Sequence, residues 1–221
     1  MWGEWLQNLG TYFGKAAFET FQMVGISLSL AVLAGVPAGL FLFITARGLF
    51  WESRLLNIVC GSLVNVIRSI PFVILLVMLL PVTKIVAGTT IGSVAAAVPL
   101  SVAAVAFYAR LVESALQEID RGTIEAAVAH GATPFMLVTH VLLPESLPGL
   151  LRGLTITAIS LIGYSAMAGI VGGGGVGDLA IRFGYYRYQT DIMVATVVML
   201  ILLVQVVQWG GDRFSKAVEH R

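Results

Sequence analysis

Four long runs of the sequence carry no charged side chain: from Thr20 to Ala46, from Ile85 to Ala109, from Gly153 to Gly177 and from Ile192 to Gly211. Each is long enough to supply the about 20 apolar residues that a helix needs to cross a hydrocarbon core of roughly 30 Å. A fifth candidate is composite: LLNIVCGSLVNVI, then Arg68, then SIPFVILLVMLLPVT. Neither half crosses alone, but together they do. The pattern predicts an all-α polytopic membrane protein with five spans, at about 20–45, 57–80, 87–110, 151–172 and 190–210. The second should be one helix kinked near Pro71, with Arg68 inside it.

Composition agrees: 58% of residues are hydrophobic and 11% charged, against roughly 25% charged in soluble domains. A net charge of +1 argues against nucleic acid as a partner, because neutralising phosphates requires a basic surface. The single cysteine, Cys60, has no cysteine or histidine beside it for a disulfide, zinc site or redox motif, so it reads as a packing residue. The start, MWGEWLQNLG, has no cationic n-region, and the apolar run after it is too long for a signal-peptide core. That run is expected to stay as an anchor.

Lys and Arg accumulate on the cytoplasmic side of membrane proteins. With the amino terminus outside, the inner connections hold Arg47, Arg54, Arg110, Arg121, Arg152, Arg213, Lys216 and Arg221, and the outer ones Lys15, Lys84, Arg182 and Arg187, a division of eight to four. Residues 1–19 are then extracytoplasmic, while the loop 111–150 and the tail 214–221 are cytoplasmic, flanking a membrane domain over 20–213. Trp2, Trp5, Tyr12, Phe13, Tyr185, Tyr186 and Tyr188 suit the outer aromatic belt. Ser93, Ala97 and Ser101, and likewise Ser165, Gly169 and Gly173, recur every four residues and offer small faces for close helix approach. Pro37, Pro71 and Pro99 each fall near the middle of a span and should interrupt it. Five helices leave little room for a central path, so a second copy of the chain is expected to complete one.

One polar stretch breaks this pattern: EAAVAHGATPFMLVTHVLLP, Glu125 to Pro144. Ile124, Ala127 and Val128 share one face of a short helix that Gly131 should stop, since Gly adopts positive φ freely. Thr133 can cap a second short helix with Pro134 at its first position. Phe135, Val138, Thr139 and Leu142 would form the apolar face of that helix, and Pro144 would end it. Two short amphipathic helices at an angle make a compact knob suited to a groove on a partner.

The spacing of Glu125, Ala126, Ala127, Gly131, Val141, Leu143 and Pro144 is similar to the EAA signature of the permease subunits of binding-protein-dependent ABC importers, with Val141 where that family usually has Ile. RSIPFVILL, GTTIGSVAAAVPL, GATPFMLVTHVLLPESLPGL and LIGYSAMAGIVGGGGVG resemble the methionine permeases of that family, and the likeness covers about 20 to 215. It implies a type I importer architecture. The subunit would form a homodimer, with two separate ATPase subunits beneath it and an extracytoplasmic methionine-type solute-binding protein above. It also implies that the short helix docks into a cleft on the ATPase. ATP-coupling roles then fall on Glu125, Ala126, Ala127, Gly131, Thr133, Pro134, Phe135, Leu143 and Pro144.

The residues agree with that division of labour. No P-loop occurs, so the chain is expected to bind no cofactor itself; ATP and its Mg²⁺ belong to the partner. Gly172, Gly174 and Gly177 match G-x-G-x-x-G but come after a membrane helix instead of a strand, and read as a flexible gate or loop at the outer mouth. His130, His140 and His220 have no ligand spacing and read as solvated loop residues; no metal site and no catalytic constellation is expected. Arg68 is costly in lipid and serves either as a snorkelling anchor or as a pathway or gate residue. Tyr164, Ser165 and Met167 are the other pathway candidates; Gly163 and Gly169, also in that span, read rather as close helix packing. A self-sufficient carrier or channel is the rival reading, but the spans contain no acidic side chain and no internal repeat of the kind such carriers use. A scaffold that merely recruits a protein would leave the prolines and glycines of the spans unexplained.

Overall fold

The computed structural model describes residues 2–46 and 51–218. Arg47, His220 and Arg221, assigned above from sequence, lie outside the described residues, as do the side chains of Trp2 and Trp5. The described residues form helices and turns without a strand: α1 Trp2–Leu30, α2 Val36–Ile44, α3 Arg54–Ser69, α4 Phe72–Met78, α5 Leu80–Ala87, α6 Ser93–Gln117, α7 Arg121–Ala129, α8 Pro134–Leu137, α9 Leu143–Ala168, α10 Gly175–Leu179 and α11 Thr190–Val218. Four continuous helical stretches are long and apolar enough to cross a membrane: Tyr12–Ile44, Ser93–Gln117, Pro134–Val171 and Thr190–Val218.

The fifth span is not the kinked helix expected. Its halves α3 and α4 meet at 104°. Pro71 has no N–H to continue the ladder, and it forces Ile70 into an extended conformation (φ −79°, ψ 125°), so the chain turns a corner instead of bending. The other prolines behave differently. Pro99 sits inside an unbroken α6 and does not interrupt it. Pro37 comes just after a π-turn over Ala31–Gly35, a widened stretch that absorbs its ring within a continuous helix. The helices are also longer than the apolar runs: the first begins well before residue 20, and the third is displaced to Ser93 because Gly88 and Gly92, both at positive φ, turn the chain ahead of it.

Helix α6 is the centre. Leu100, Ala109, Val112 and Leu116 are fully buried on it, and α1, α2, α3 and α9 pack around it. In lipid the hydrophobic effect does not drive helices together; close packing and interhelical hydrogen bonds do, the latter averaging about 0.6 kcal/mol each. The small face of α6 provides both. Ser93 Oγ donates to Gln22 Oε1 (2.7 Å), Ser27 Oγ donates to Ala97 O (3.3 Å), and Ser101 Oγ donates to Ser27 Oγ (3.4 Å). The second small series closes on its own chain: a Cβ on Gly169 would lie 2.4 Å from Asp178 N, and one on Gly173 2.9 Å from Ala96 Cβ. By contrast α3 buries none of its residues, and Leu55, Leu63 and Val66 stand out from it.

Candidate functional site

Two regions hold the residues singled out by the sequence. The first is the hairpin from α7 to the start of α9. Asp120 caps α7, its Oδ1 accepting from Gly122 N–H (2.7 Å), and Ile124 anchors the helix in the core. The end of α7 is closed by its own backbone: Gly131 N–H donates to Val128 O (2.9 Å) and Ala132 N–H to Ala127 O (3.1 Å), with Gly131 at φ +83°. This pair of bonds is the Schellman arrangement, and it requires the left-handed residue that glycine supplies. Thr133 then caps α8, its Oγ1 accepting from Met136 N–H (3.3 Å), and Pro134 opens that helix.

Beyond this point the structure corrects the sequence reading. Pro144 does not end the helix; α8 runs through a π-turn, Val138–Leu142, directly into α9. Leu143 N–H donates five residues back to Val138 O, and the widened turn makes room for a Pro144 ring that would otherwise strike the carbonyl of His140. The buried face also differs. Leu137 and Leu142 are buried, with Val138 and Val141 partly covered, whereas Phe135 is 75% exposed. The wider π-turn rotates the stripe away from a regular i, i+3, i+4, i+7 pattern. Phe135, Met136 and Val128 therefore form an exposed apolar tip, and Glu125, Ala126 and Pro134 are exposed beside it. Leu143 is half-buried and Pro144 exposed at the root. His130 and His140 are exposed as expected, but on helical turns, where their ring Nδ1 atoms bond the carbonyls of Ala126 (2.8 Å) and Met136 (3.3 Å). Among the described residues no cluster could hold a metal ion.

The second region is a cleft at the corner between α3 and α4. Its walls include Arg68, Ile70, Phe72, Leu75, Phe107 and Tyr164. Tyr164 stacks on Phe72 with centroids 4.8 Å apart and planes 11° from parallel, and the Arg68 guanidinium lies 5.7 Å from the centre of the Phe107 ring. The corner thus brings together two of the four pathway candidates, Arg68 and Tyr164. The other two lie elsewhere: Ser165 is buried, its Oγ donating to Ile162 O (2.8 Å), and Met167 is 42% exposed outside the cleft.

Sequence reasoning missed two features. Glu113, at the end of α6, is buried and ion-paired with Arg110, which also donates to Asn65 Oδ1 (2.8 Å) on α3. Their i, i+3 spacing was the available signal. The glycine run, read as a flexible gate or loop, is tied to α1: Gly175 N–H donates to Glu19 Oε2 (2.8 Å) and Val176 N–H to Thr20 Oγ1 (3.0 Å). Gly172 O also accepts from Gly92 N–H (3.0 Å). Nothing in the local sequence could reveal those contacts, because the partners are far apart along the chain.

The described residues thus make a multi-pass helical membrane protein with a self-capped, apolar-tipped hairpin between its long helices. The chain belongs to the family described as binding-protein-dependent transport system inner membrane component, whose model matches residues 23–220. Among its relatives is a probable D-methionine transport system permease protein from Vibrio cholerae, 49% identical over 206 residues, 93% of this chain and 92% of that protein. A methionine import system permease protein from Bacillus subtilis is 43% identical over 211 residues, covering 96% and 95%. The chain also superposes on an inward-facing structure of a methionine ABC transporter with a TM-score of 0.95 and 44% identity, covering 96% of this chain and 99% of that one. An amino acid ABC transporter at 19% identity and TM-score 0.78 shares the fold.

Proposed function

We propose that the chain is the permease subunit of an ATP-driven methionine importer of a bacterial inner membrane, with its amino terminus outside and the α7–α8 hairpin in the cytoplasm. The observation that carries this reading is the hairpin itself: the signature residues Glu125, Ala126, Ala127 and Gly131 flank an exposed apolar tip of Val128, Phe135 and Met136, Pro144 stands at its root, and its turn is set by its own backbone bonds. Near-full-length similarity to methionine permeases supplies the substrate. The apolar outer face of α3 is available to a second copy, so that two subunits enclose one path. Two ATPase subunits would receive the hairpins, and a solute-binding protein would deliver the amino acid from outside.

In this mechanism the chain hydrolyses nothing. ATP and Mg²⁺ would be held by the partner ATPase, and closure of that partner would move the hairpins. Because α8 continues through the π-turn into α9, displacement of the tip is carried by a continuous helix toward Tyr164 and Met167. Rigid-body rocking of the two copies would then open the path alternately to each side. The test is uptake by vesicles containing the whole transporter. Glu125→Lys and Gly131→Pro should insert normally and leave ATP hydrolysis running while methionine uptake collapses. Normal uptake with either variant removes the docking role.

A further inference from the structure

Resting on the reading of the chain as an amino-acid permease, we propose that the cleft at the α3–α4 corner is a subsite for the α-carboxylate of the transported amino acid, with Arg68 as the cation that receives it. Arg68 stands in the last turn of α3, exposed to the cleft, with its guanidinium near the face of the Phe107 ring. Among the described residues no carboxylate pairs with it. Glu113, on the same helix as Phe107, is already held by Arg110.

A guanidinium in this setting has an incomplete set of partners. Five N–H donors sit in a planar fork, and an aromatic face satisfies none of them with an oxygen. A carboxylate matches the fork with two parallel bonds, which makes it the fitting ligand. The rest of the cleft suits the side chain of an apolar amino acid. Leu75, Ile70 and Ala103 offer aliphatic walls, and the stacked Phe72–Tyr164 pair offers an aromatic one on which a thioether packs well. The volume, about 130 Å³, is roughly ten times what one water needs. The corner at Pro71 shapes the site: it sets α4 at 104° to α3, so that Ile70, Phe72 and Leu75 wall the cleft that Arg68 lines.

The test uses the purified transporter, permease with its ATPase, without the solute-binding protein. Binding of radiolabelled L-methionine is measured against three competitors: unlabelled L-methionine, its 2-keto acid, which keeps the carboxylate, and its methyl ester, which masks it. The keto acid should compete and the ester should not. Arg68→Gln should weaken binding by about tenfold or more, Arg68→Lys should retain part of it, and Tyr164→Leu should weaken it without changing the preference for a carboxylate. Equal competition by ester and acid, wild-type affinity in Arg68→Gln, or no saturable binding to the wild-type transporter each overturn the proposal. The competitor panel decides the matter even where the Arg68 variants do not assemble. Uptake by wild-type vesicles separates the two ideas: methionine uptake without carboxylate-dependent binding sinks the subsite alone, whereas absence of methionine uptake sinks the substrate reading beneath it.

Discussion

Two glycine turns in this chain, at Gly131 and Gly172, reach positive φ through the same local pair of helix-closing bonds but differ in what surrounds them. Gly131 at the hairpin (φ +83°) has nothing within 4 Å of where a Cβ would stand, and its turn is closed entirely by neighbours from Ala127 to Ala132. At the run Gly172–Gly175 the turn is also closed locally, Gly172 N–H donating to Gly169 O (3.2 Å) and Gly173 N–H to Ala168 O (3.0 Å), but a Cβ on Gly174 (φ +77°) would fall 2.5 Å from Glu19 Oε2, and the next two N–H groups are tied to Glu19 and Thr20 of a distant helix. The first is a local structure that stands clear of the protein. The second adds bonds to α1 beyond its local closure. Under the docking proposed above, the tip benefits from a self-contained shape that stands clear of the bundle, while the glycine loop takes further anchoring from α1.

This contrast yields graded expectations. Gly177→Ala should have the largest effect on stability, because its Cβ would lie 2.3 Å from the Ala166 backbone; the cost is about 3 kcal/mol, read as a lowered thermal midpoint of the purified transporter. Glu19→Ala should come next, since it strands the Gly175 N–H, at about 2 kcal/mol. Glu19→Gln keeps an acceptor oxygen and should recover part of that loss. Gly131→Ala should cost about 1 kcal/mol, the strain of a Cβ at positive φ with no collision added. A larger loss there than for Gly177→Ala, whose glycine follows the packed run inside α10, would erase the distinction between the free-standing hairpin and the packed glycine segment. Phe135→Ala should change stability by about 0.5 kcal/mol or less, as expected for an exposed side chain, yet lower ATP-coupled uptake. An unchanged coupling ratio would show that the exposed tip contributes nothing to docking.

The hairpin was legible from sequence for the same reason that it is self-contained. Thr133, Pro134 and Gly131 act on backbone atoms within a few residues of themselves, and each does what its position predicted. Pro144 misled because its outcome depends on whether five residues ahead of it can widen into a π-turn, a choice made jointly with the burial of Leu137 and Leu142. The same holds for the three mid-span prolines, which gave one sharp corner, one bulge and one uninterrupted helix.

The amino-acid sequence by itself determined that this chain lives in lipid, that four of its runs are long enough to cross, and where its protruding hairpin begins and turns. These depend on charge spacing and on backbone chemistry, which act over a few residues. Only the tertiary structure decided that Arg68 and Tyr164 share a cleft, that Ser165 does not, and that Glu19 holds the glycine loop. Those outcomes depend on which faces of α1, α6 and α9 meet, and in a bilayer that choice is made by close packing and interhelical hydrogen bonds between residues remote in the chain.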